Sequence, residues 1–333
     1  MHIMIIGGAG MLGQKLARVI LANGEPLTTG CKKLTLVDIV EPEVALIKSG
    51  SMCEGIEVET ITGDFSDGLR LSQIASERPD VIYHLAAVVS GEAEANFDKG
   101  YEANVKASWG LLEALRAEHE ASSGGYCPRV VFSSSLAVYG PPFPDVVGEE
   151  FYLRPASCYG TQKAMVELLV SDYSRRGFID GISVRLPTIV VRPGRPNAAA
   201  SSFLSSIIRE PLKGEKTILP VSPSSVVWVS SPKVTIENLV RTGMLSAKET
   251  AERRVMNLPG LKVSVGEMID GLKEVGGSEL AELIVPEPDE VVSKIVLSWP
   301  SQFVTERAAQ LGLIGDVDFV SIVQQHVEET SAH

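Results

Sequence analysis

Basic residues are few in this sequence, and they form no cluster. The 333 residues include 30 lysines and arginines against 42 aspartates and glutamates, for a formal net charge of −12. Nucleic-acid binding draws much of its free energy from basic side chains that displace counterions from phosphates. A nucleic-acid partner is therefore not expected.

Cysteine is also scarce. Cys31, Cys53, Cys127 and Cys158 are scattered along the chain, without a C-x-x-C pair. This spacing fits free thiols in a reducing compartment better than a disulfide framework or a zinc site. We expect neither disulfides nor a bound metal.

Long hydrophobic runs are missing as well. The apolar start, Met1 to Ile6, meets glycines after six residues and has no basic segment before it, which predicts a buried strand rather than a signal peptide. No segment approaches the ~20 apolar residues of a membrane span. With 44% hydrophobic and 22% charged residues, the composition is that of a folded globular protein, for which a cytoplasmic location is the default expectation.

Short apolar runs alternate with segments of helical periodicity, such as Val105 to Ala117. The runs have the length of strands and lie at Ile3 to Ile6, Leu34 to Val37, Val81 to Leu85, Val130 to Phe132 and Ile182 to Val184. Such alternation is typical of βαβ units in a parallel sheet with helices on both faces. It predicts an α/β, doubly wound Rossmann domain over residues 1–190.

The texture changes after Pro193. Pro211, Pro220, Pro223 and Pro232 follow within a short span. Proline at this density predicts a smaller, irregular portion at the edge of the sheet. We assign residues 191–230 and 276–333 to a substrate-binding portion, and expect 230–275 to return in part to the main domain through helical and strand-like segments at 235–245, 255–258 and 265–275.

A glycine-rich turn follows the first predicted strand. It contains Gly7, Gly10, Met11, Leu12 and Gly13 and leads into an amphipathic helix. Glycines let the backbone approach a pyrophosphate, and the helix start offers free N–H groups and a positive dipole end. The motif predicts dinucleotide binding, although similar turns also occur for packing alone.

Two acidic residues extend this hypothesis. Asp38 ends the next predicted strand, where a carboxylate accepts hydrogen bonds from the adenosine ribose and repels a 2′-phosphate, which favours NAD over NADP. Asp64 follows Gly63 after a further apolar stretch and is a candidate for the adenine amino group. Either residue is alternatively a solvated loop carboxylate.

A second motif points to catalysis. Tyr159 and Lys163 are four positions apart in a predicted helix and therefore share one face. An ammonium favours the phenolate of a nearby tyrosine, which then acts as a general base. The serines Ser133, Ser134 and Ser135 end an apolar strand, from which a hydroxyl can polarise the substrate oxygen.

Together these motifs resemble the extended short-chain dehydrogenase/reductase family, which includes nucleotide-sugar epimerases. The resemblance implies catalytic roles for Ser135, Tyr159 and Lys163, with Ser133 and Ser134 lining the same site. It further implies NAD contacts from Leu85, Ala86, Ala87, Asn104, Pro187 and Thr188. Family dehydratases carry an Asp-Glu pair after the catalytic hydroxyl residue, whereas Leu136 and Ala137 stand here, which argues against dehydration.

The stretch that contains Arg192, Arg195 and Asn197 resembles the D-erythronate dehydrogenase group of this family. The resemblance implies NAD-linked oxidation of the C2 hydroxyl of a small sugar acid, and a guanidinium is well suited to bind its carboxylate. The alternatives are a nucleotide-sugar 4-epimerase that retains its NAD and a dinucleotide sensor without catalysis. The intact Ser135, Tyr159 and Lys163 set argues against the sensor.

The family resemblance also implies a homodimer through the helices that begin near Tyr101 and Tyr159. Leu111, Leu112 and Leu115 are candidate apolar contacts for that interface, but leucines at these positions serve a protein core equally well.

Overall fold

The computed structural model describes residues 1–22, 30–44, 47, 55–64, 67–194, 199, 201–251 and 253–331. Within these ranges, no helix has both the length and the apolar character needed to cross a membrane. Seven strands of the described chain form one parallel sheet: β1 (His2–Ile6), β2 (Lys33–Asp38), β3 (Glu57–Thr62), β4 (Val81–His84), β5 (Arg129–Ser135), β6 (Asp180–Leu186) and β10 (Val255–Asn257).

The strand order is β3-β2-β1-β4-β5-β6-β10. The chain thus runs outward in one direction from β1 and returns to continue on the other side at β4, which confirms the doubly wound α/β prediction. In such sheets the carboxyl ends of the strands on either side of this switch point border a crevice. The glycine-rich turn follows β1 at that place.

Helices cover both faces of the sheet. They are α1 (Met11–Leu21), α2 (Gly68–Ser76), α3 (Ser90–Ala95), α4 (Phe97–Gly100), a π-helical turn (Tyr101–Lys106), α5 (Ala107–Ala121) and α6 (Cys158–Arg175), with a 3₁₀ turn at Leu136–Val138. Leu111, Leu112 and Leu115 are buried in the core between α5 and the sheet. Of the two alternatives, these leucines therefore serve the core; the large exposed apolar side chains on α5 and α6 are Trp109, Met165 and Leu168. The homodimer itself stays a prediction.

The remaining elements follow β6. They are β7 (Thr188–Ile189), α7 (Ser202–Leu212), β8 (Thr217–Leu219), β9 (Val226–Ser230), α8 (Pro232–Met244), α9 (Ala247–Thr250), β11 (Leu261–Ser264), α10 (Val265–Gly276), a 3₁₀ turn (Ser278–Leu283), β12 (Ile284–Pro286), α11 (Glu290–Leu297), α12 (Glu306–Gln310) and α13 (Phe319–Ser331). Strands β11, β9 and β7 form a second sheet, and β12 pairs with β8.

A second hydrophobic core lies in this later part of the chain. Leu204 and Ile207 of α7 pack there with Val229, Met268 and Val323. The expectation of irregular structure is wrong for residues 202–212, because they form a regular helix. Its proline, Pro211, lies in the last turn, where it disrupts few hydrogen bonds, and its apolar face is buried.

A buried ion pair joins helix α6 to the sheet. The Glu167 carboxylate on α6 accepts from Nε of Arg185 on β6 at 2.9 Å and from Nη2 at 2.7 Å. Both side chains are almost inaccessible to solvent, at 2% and 6% exposure. Ser134 donates to the same carboxylate, and Arg185 also donates to the Tyr139 hydroxyl. The network holds α6, β5 and β6 in register.

We expect Glu167→Gln to lower the free energy of unfolding by about 3–5 kcal/mol, because it leaves the Arg185 charge buried without a counter-charge. Urea denaturation measures the change. Glu102→Gln is the matched control, since Glu102 pairs with Lys106 on the surface. Equal unfolding free energies for the two variants would contradict the structural role of the buried pair.

Candidate active site

A cavity of ≈ 530 Å³ lies where the carboxyl ends of the central strands meet the later part of the chain. Both parts contribute to its wall. Its lining includes fifteen of the residues singled out in the sequence: Gly7, Gly10, Met11, Leu12, Gly13, Leu85, Ala87, Ser133, Ser134, Ser135, Tyr159, Lys163, Pro187, Thr188 and Arg192. Among the described residues, Asp38, Asp64, Ala86 and Asn104 lie outside the lining.

The glycine-rich turn is packed too tightly for side chains. Gly7 has a φ of +94°, and a Cβ on it would lie 2.7 Å from the backbone nitrogen of Ala86. A Cβ on Gly13 would lie 2.1 Å from the Gly7 carbonyl oxygen. Helix α1 starts after Gly10, which has no side chain to cap it, and its first residues line the cavity. This exposed backbone cradle fits a pyrophosphate.

The two acidic residues differ in placement. Asp38, at the end of β2, is half-buried beside the turn, and its Oδ2 accepts from the Ala9 N–H at 2.9 Å. Its carboxylate thus lies next to the glycine cradle, as a ribose partner would need. Asp64 is exposed, two residues beyond β3.

Helix α6 carries Tyr159 and Lys163 into the cavity from its first turns. The helix starts at Cys158 because Ser157 and Glu94 satisfy its first N–H groups. The Ser157 hydroxyl accepts from Gly160 at 3.1 Å, and the Glu94 carboxylate accepts from Cys158 at 3.0 Å. These two contacts therefore fix the start of the helix and, with it, the position of Tyr159.

The Ser135 hydroxyl lies beside that of Tyr159. Burial raises the pKa of Tyr159 to about 12, and the neighbouring Ser135 hydroxyl acts in the opposite direction. The net shift is upward because loss of solvation outweighs that contact. At neutral pH the side chain is therefore a phenol that holds its proton.

Lys163 is buried, and its Nζ donates to the Ser133 carbonyl oxygen at 2.7 Å. Nζ lies 5.6 Å from the centre of the Tyr159 ring. Burial lowers the pKa of Lys163 to about 7, while the charge of Glu167 acts to raise it. An amine with this pKa is only partly charged at neutral pH, so it lowers the tyrosine pKa less than the sequence pattern led us to expect.

Three predicted site residues have their polar groups engaged by the protein. Ser133 Oγ donates to the His84 carbonyl oxygen at 3.0 Å, and the Ser134 hydroxyl donates to Glu167. The Asn104 amide donates to the Val88 carbonyl oxygen at 3.0 Å and accepts from the Val88 N–H at 2.8 Å. These contacts favour a role in shaping the wall over direct contact with a substrate.

Arg192 lies on the cavity wall and is half-buried. Its Nη2 is buried and has no hydrogen-bond partner within the described chain. Burial lowers the pKa of Arg192, and the charge of Arg209 lowers it further. Such a guanidinium favours an anionic ligand. Arg195 and Asn197 lie outside the described residues.

Sequence reasoning missed several residues of the wall. Glu94 comes from α3, Trp228 from β9, and Trp299 from the segment after α11. Two of the chain's three tryptophans thus line the cavity. Their position in the predicted substrate-binding portion was an available signal, but no local spacing pattern marked them.

Comparison with known proteins agrees with this geometry. The sequence model of the NAD dependent epimerase/dehydratase family matches residues 3–228. A D-erythronate dehydrogenase from Cupriavidus necator is 44% identical over 333 residues, which covers 99% of this chain and 98% of that protein. A second, from Haemophilus influenzae, is 41% identical over 328 residues and covers 98% of this chain and 99% of that protein.

A solved structure is similar over nearly the same length. It is described as a nucleoside-diphosphate-sugar epimerase from Agrobacterium tumefaciens, has 43% sequence identity and a TM-score of 0.89, and the match covers 98% of this chain and 94% of that one. The family match spans the glycine cradle, Ser135, Tyr159 and Lys163. The chain therefore belongs to the NAD dependent epimerase/dehydratase family, the extended short-chain dehydrogenases/reductases.

Proposed function

We propose that this protein oxidises the C2 hydroxyl of a small sugar acid, D-erythronate, to the 2-keto acid with NAD. One observation carries the proposal: a single cavity is lined by Ser135, Tyr159, Lys163 and Arg192, and the Arg192 guanidinium is incompletely paired within the described chain. Two relatives named D-erythronate dehydrogenase, at 44% and 41% identity over nearly the full length, support the same substrate.

In this proposal Tyr159 removes the proton of the C2 hydroxyl, and Ser135 stabilises the oxygen as negative charge develops. Bound NAD supplies the hydride acceptor. Lys163 holds the Ser133 carbonyl on one side and places a partly charged amine near the phenol on the other. Any cationic character in the loaded site favours release of the phenol proton.

The glycine cradle would hold the pyrophosphate of the cofactor, and Asp38 would hold its adenosine ribose. The carboxylate beside Ala9 supports NAD over NADP, because it would lie against a 2′-phosphate. Leu85, Ala86, Ala87, Pro187 and Thr188 would flank the cofactor, with Asp64 at the adenine. Asn104 would fix the segment after β4 from behind.

The substrate carboxylate pairs with Arg192, and we assign Arg195 and Asn197 to the same end of the substrate. Residues 191–230 and 276–333 thus form the substrate-binding portion, and 1–190 the cofactor domain. Within the described wall of the cavity, the charged side chains are Lys163, Arg192 and Glu94. One available guanidinium suits a small monoanion better than a nucleoside diphosphate, which carries more negative charge.

The second candidate is a nucleotide-sugar 4-epimerase that retains its NAD. The name of the Agrobacterium tumefaciens protein, at 43% identity, favours it. This reaction would use the same Ser135, Tyr159 and Lys163, but it would produce no net NADH.

The direct test is NADH formation by the purified protein with NAD and a panel of four-carbon sugar acids and UDP-sugars. We expect NADH with D-erythronate, and a kcat/KM with NADP that is lower by roughly 10-fold or more because of Asp38. Interconversion of UDP-sugars without NADH would instead support the epimerase.

Tyr159→Phe should retain NAD binding, measured by quenching of tryptophan fluorescence, and lose ~10²–10⁴-fold in kcat, the usual contribution of a general base. The wild-type oxidation rate should rise with pH from neutral, because the raised pKa of Tyr159 keeps the base form scarce there. Thr161→Val, two residues further along the same helix, is the control. A near wild-type rate for Tyr159→Phe would show that another group is the base.

A further inference from the structure

Two side chains of helix α7 form hydrogen bonds with the backbone of Arg192. The Ser205 hydroxyl accepts from the Arg192 N–H at 3.0 Å. The Nη1 of Arg209, one turn further along α7, donates to the Arg192 carbonyl oxygen at 2.7 Å. Both polar groups of the Arg192 peptide backbone are therefore tied to one rigid helix.

Arg209 is an unusual residue for this purpose, because it is almost completely buried, at 2% exposure. Its Nε donates to the carboxylate of Glu210 at 3.2 Å, and Nη2 also contacts Ser206 Oγ at 3.3 Å. The Glu210 carboxylate balances the Arg209 charge. The charge of Arg209 is thus paired within α7, and its Nη1 donates to the Arg192 carbonyl oxygen.

The residues on either side of Arg192 explain why these two hydrogen bonds are needed. Val190 and Val191 are buried in the second core, whereas Pro193 and Gly194 are exposed. Gly194 has a φ of +87°. Arg192 is therefore anchored directly before two exposed residues, and its long side chain loses much conformational entropy when it is held on a ligand.

We propose that Arg209 is a positioning residue for substrate recognition: by holding the Arg192 carbonyl, it fixes the place from which the Arg192 guanidinium reaches the substrate carboxylate. This assignment rests on the proposed function. Arg209 does not line the cavity among its described residues, so its effect passes through Arg192. A residue of this kind alters the KM for the sugar acid and leaves kcat and the KM for NAD nearly unchanged.

A double-mutant cycle tests the assignment. Arg209→Lys and Arg192→Met are compared singly and together, with steady-state kinetics on D-erythronate and NAD for each. Arg209→Lys retains a cation beside Glu210 and loses the forked geometry. We expect a ~10-fold higher KM for D-erythronate in Arg209→Lys, and no further rise when it is added to Arg192→Met.

Two further variants provide a second test and a control. Ser205→Ala removes the other contact to the Arg192 backbone without a buried charge, so it keeps the test valid if Arg209→Lys fails to fold; we expect a smaller rise in the same KM. Arg241→Lys is the matched control, because Arg241 Nε donates to a backbone carbonyl, that of Leu311, at 2.8 Å away from the cavity. Its kinetics should equal those of the wild type.

Unchanged KM values in folded Arg209→Lys and Ser205→Ala would overturn the assignment. An equal rise in the presence and absence of the Arg192 guanidinium would also overturn it, because Arg209 would then act independently. Wild-type protein that does not oxidise D-erythronate would instead refute the proposed function. The two failures are therefore distinguishable in one set of assays.

Discussion

The buried pair of Glu167 and Arg185 is the constraint on which the candidate active site depends. Glu167 lies one helical turn after Lys163, on the same helix as Tyr159, while Arg185 is part of the neighbouring strand β6. Two charges buried together stabilise a structure only when their geometry and hydrogen bonds are nearly complete. Because the Ser134 hydroxyl donates a hydrogen bond to the Glu167 carboxylate, the pair also fixes the strand end that carries Ser135.

The same burial sets the electrostatic character of the site. Burial raises the pKa of Tyr159 to about 12 and lowers that of Lys163 to about 7, so both groups tend toward their neutral forms. Glu167 opposes this tendency at Lys163 across one helical turn. The protein thus holds a phenol and a partly charged amine close together, and a cationic partner in the site shifts this balance toward the phenolate.

Local patterns predicted the parts of the molecule that depend on local geometry. Three motifs are constraints within single elements: the glycine turn, Asp38 at a strand end, and Tyr159 with Lys163 four positions on. The doubly wound sheet follows from the alternation of strand-like and helical segments. The residues that escaped prediction depend on contacts between distant segments. Glu94 reaches the start of α6 from α3. The two side chains that hydrogen-bond to the Arg192 backbone lie 13 and 17 residues further along the chain.

Two other differences have the same origin. The periodicity of Leu111, Leu112 and Leu115 indicated an apolar helix face but did not specify whether the sheet or a second subunit covers it; the sheet does. The density of prolines after Pro193 suggested irregular structure, but Pro211 falls in the last turn of a helix whose apolar face fills the second core. Burial by tertiary packing decided both cases.

In the proposed reaction, hydride leaves C2 of a sugar acid within the cavity that holds Ser135, Tyr159 and Lys163. Oxidation of D-erythronate carrying deuterium at C2, followed by mass spectrometry of the reduced cofactor, tests it most directly. We expect NADH that carries one deuterium. Unlabelled NADH would show that the hydride comes from another carbon and would contradict the proposed reaction.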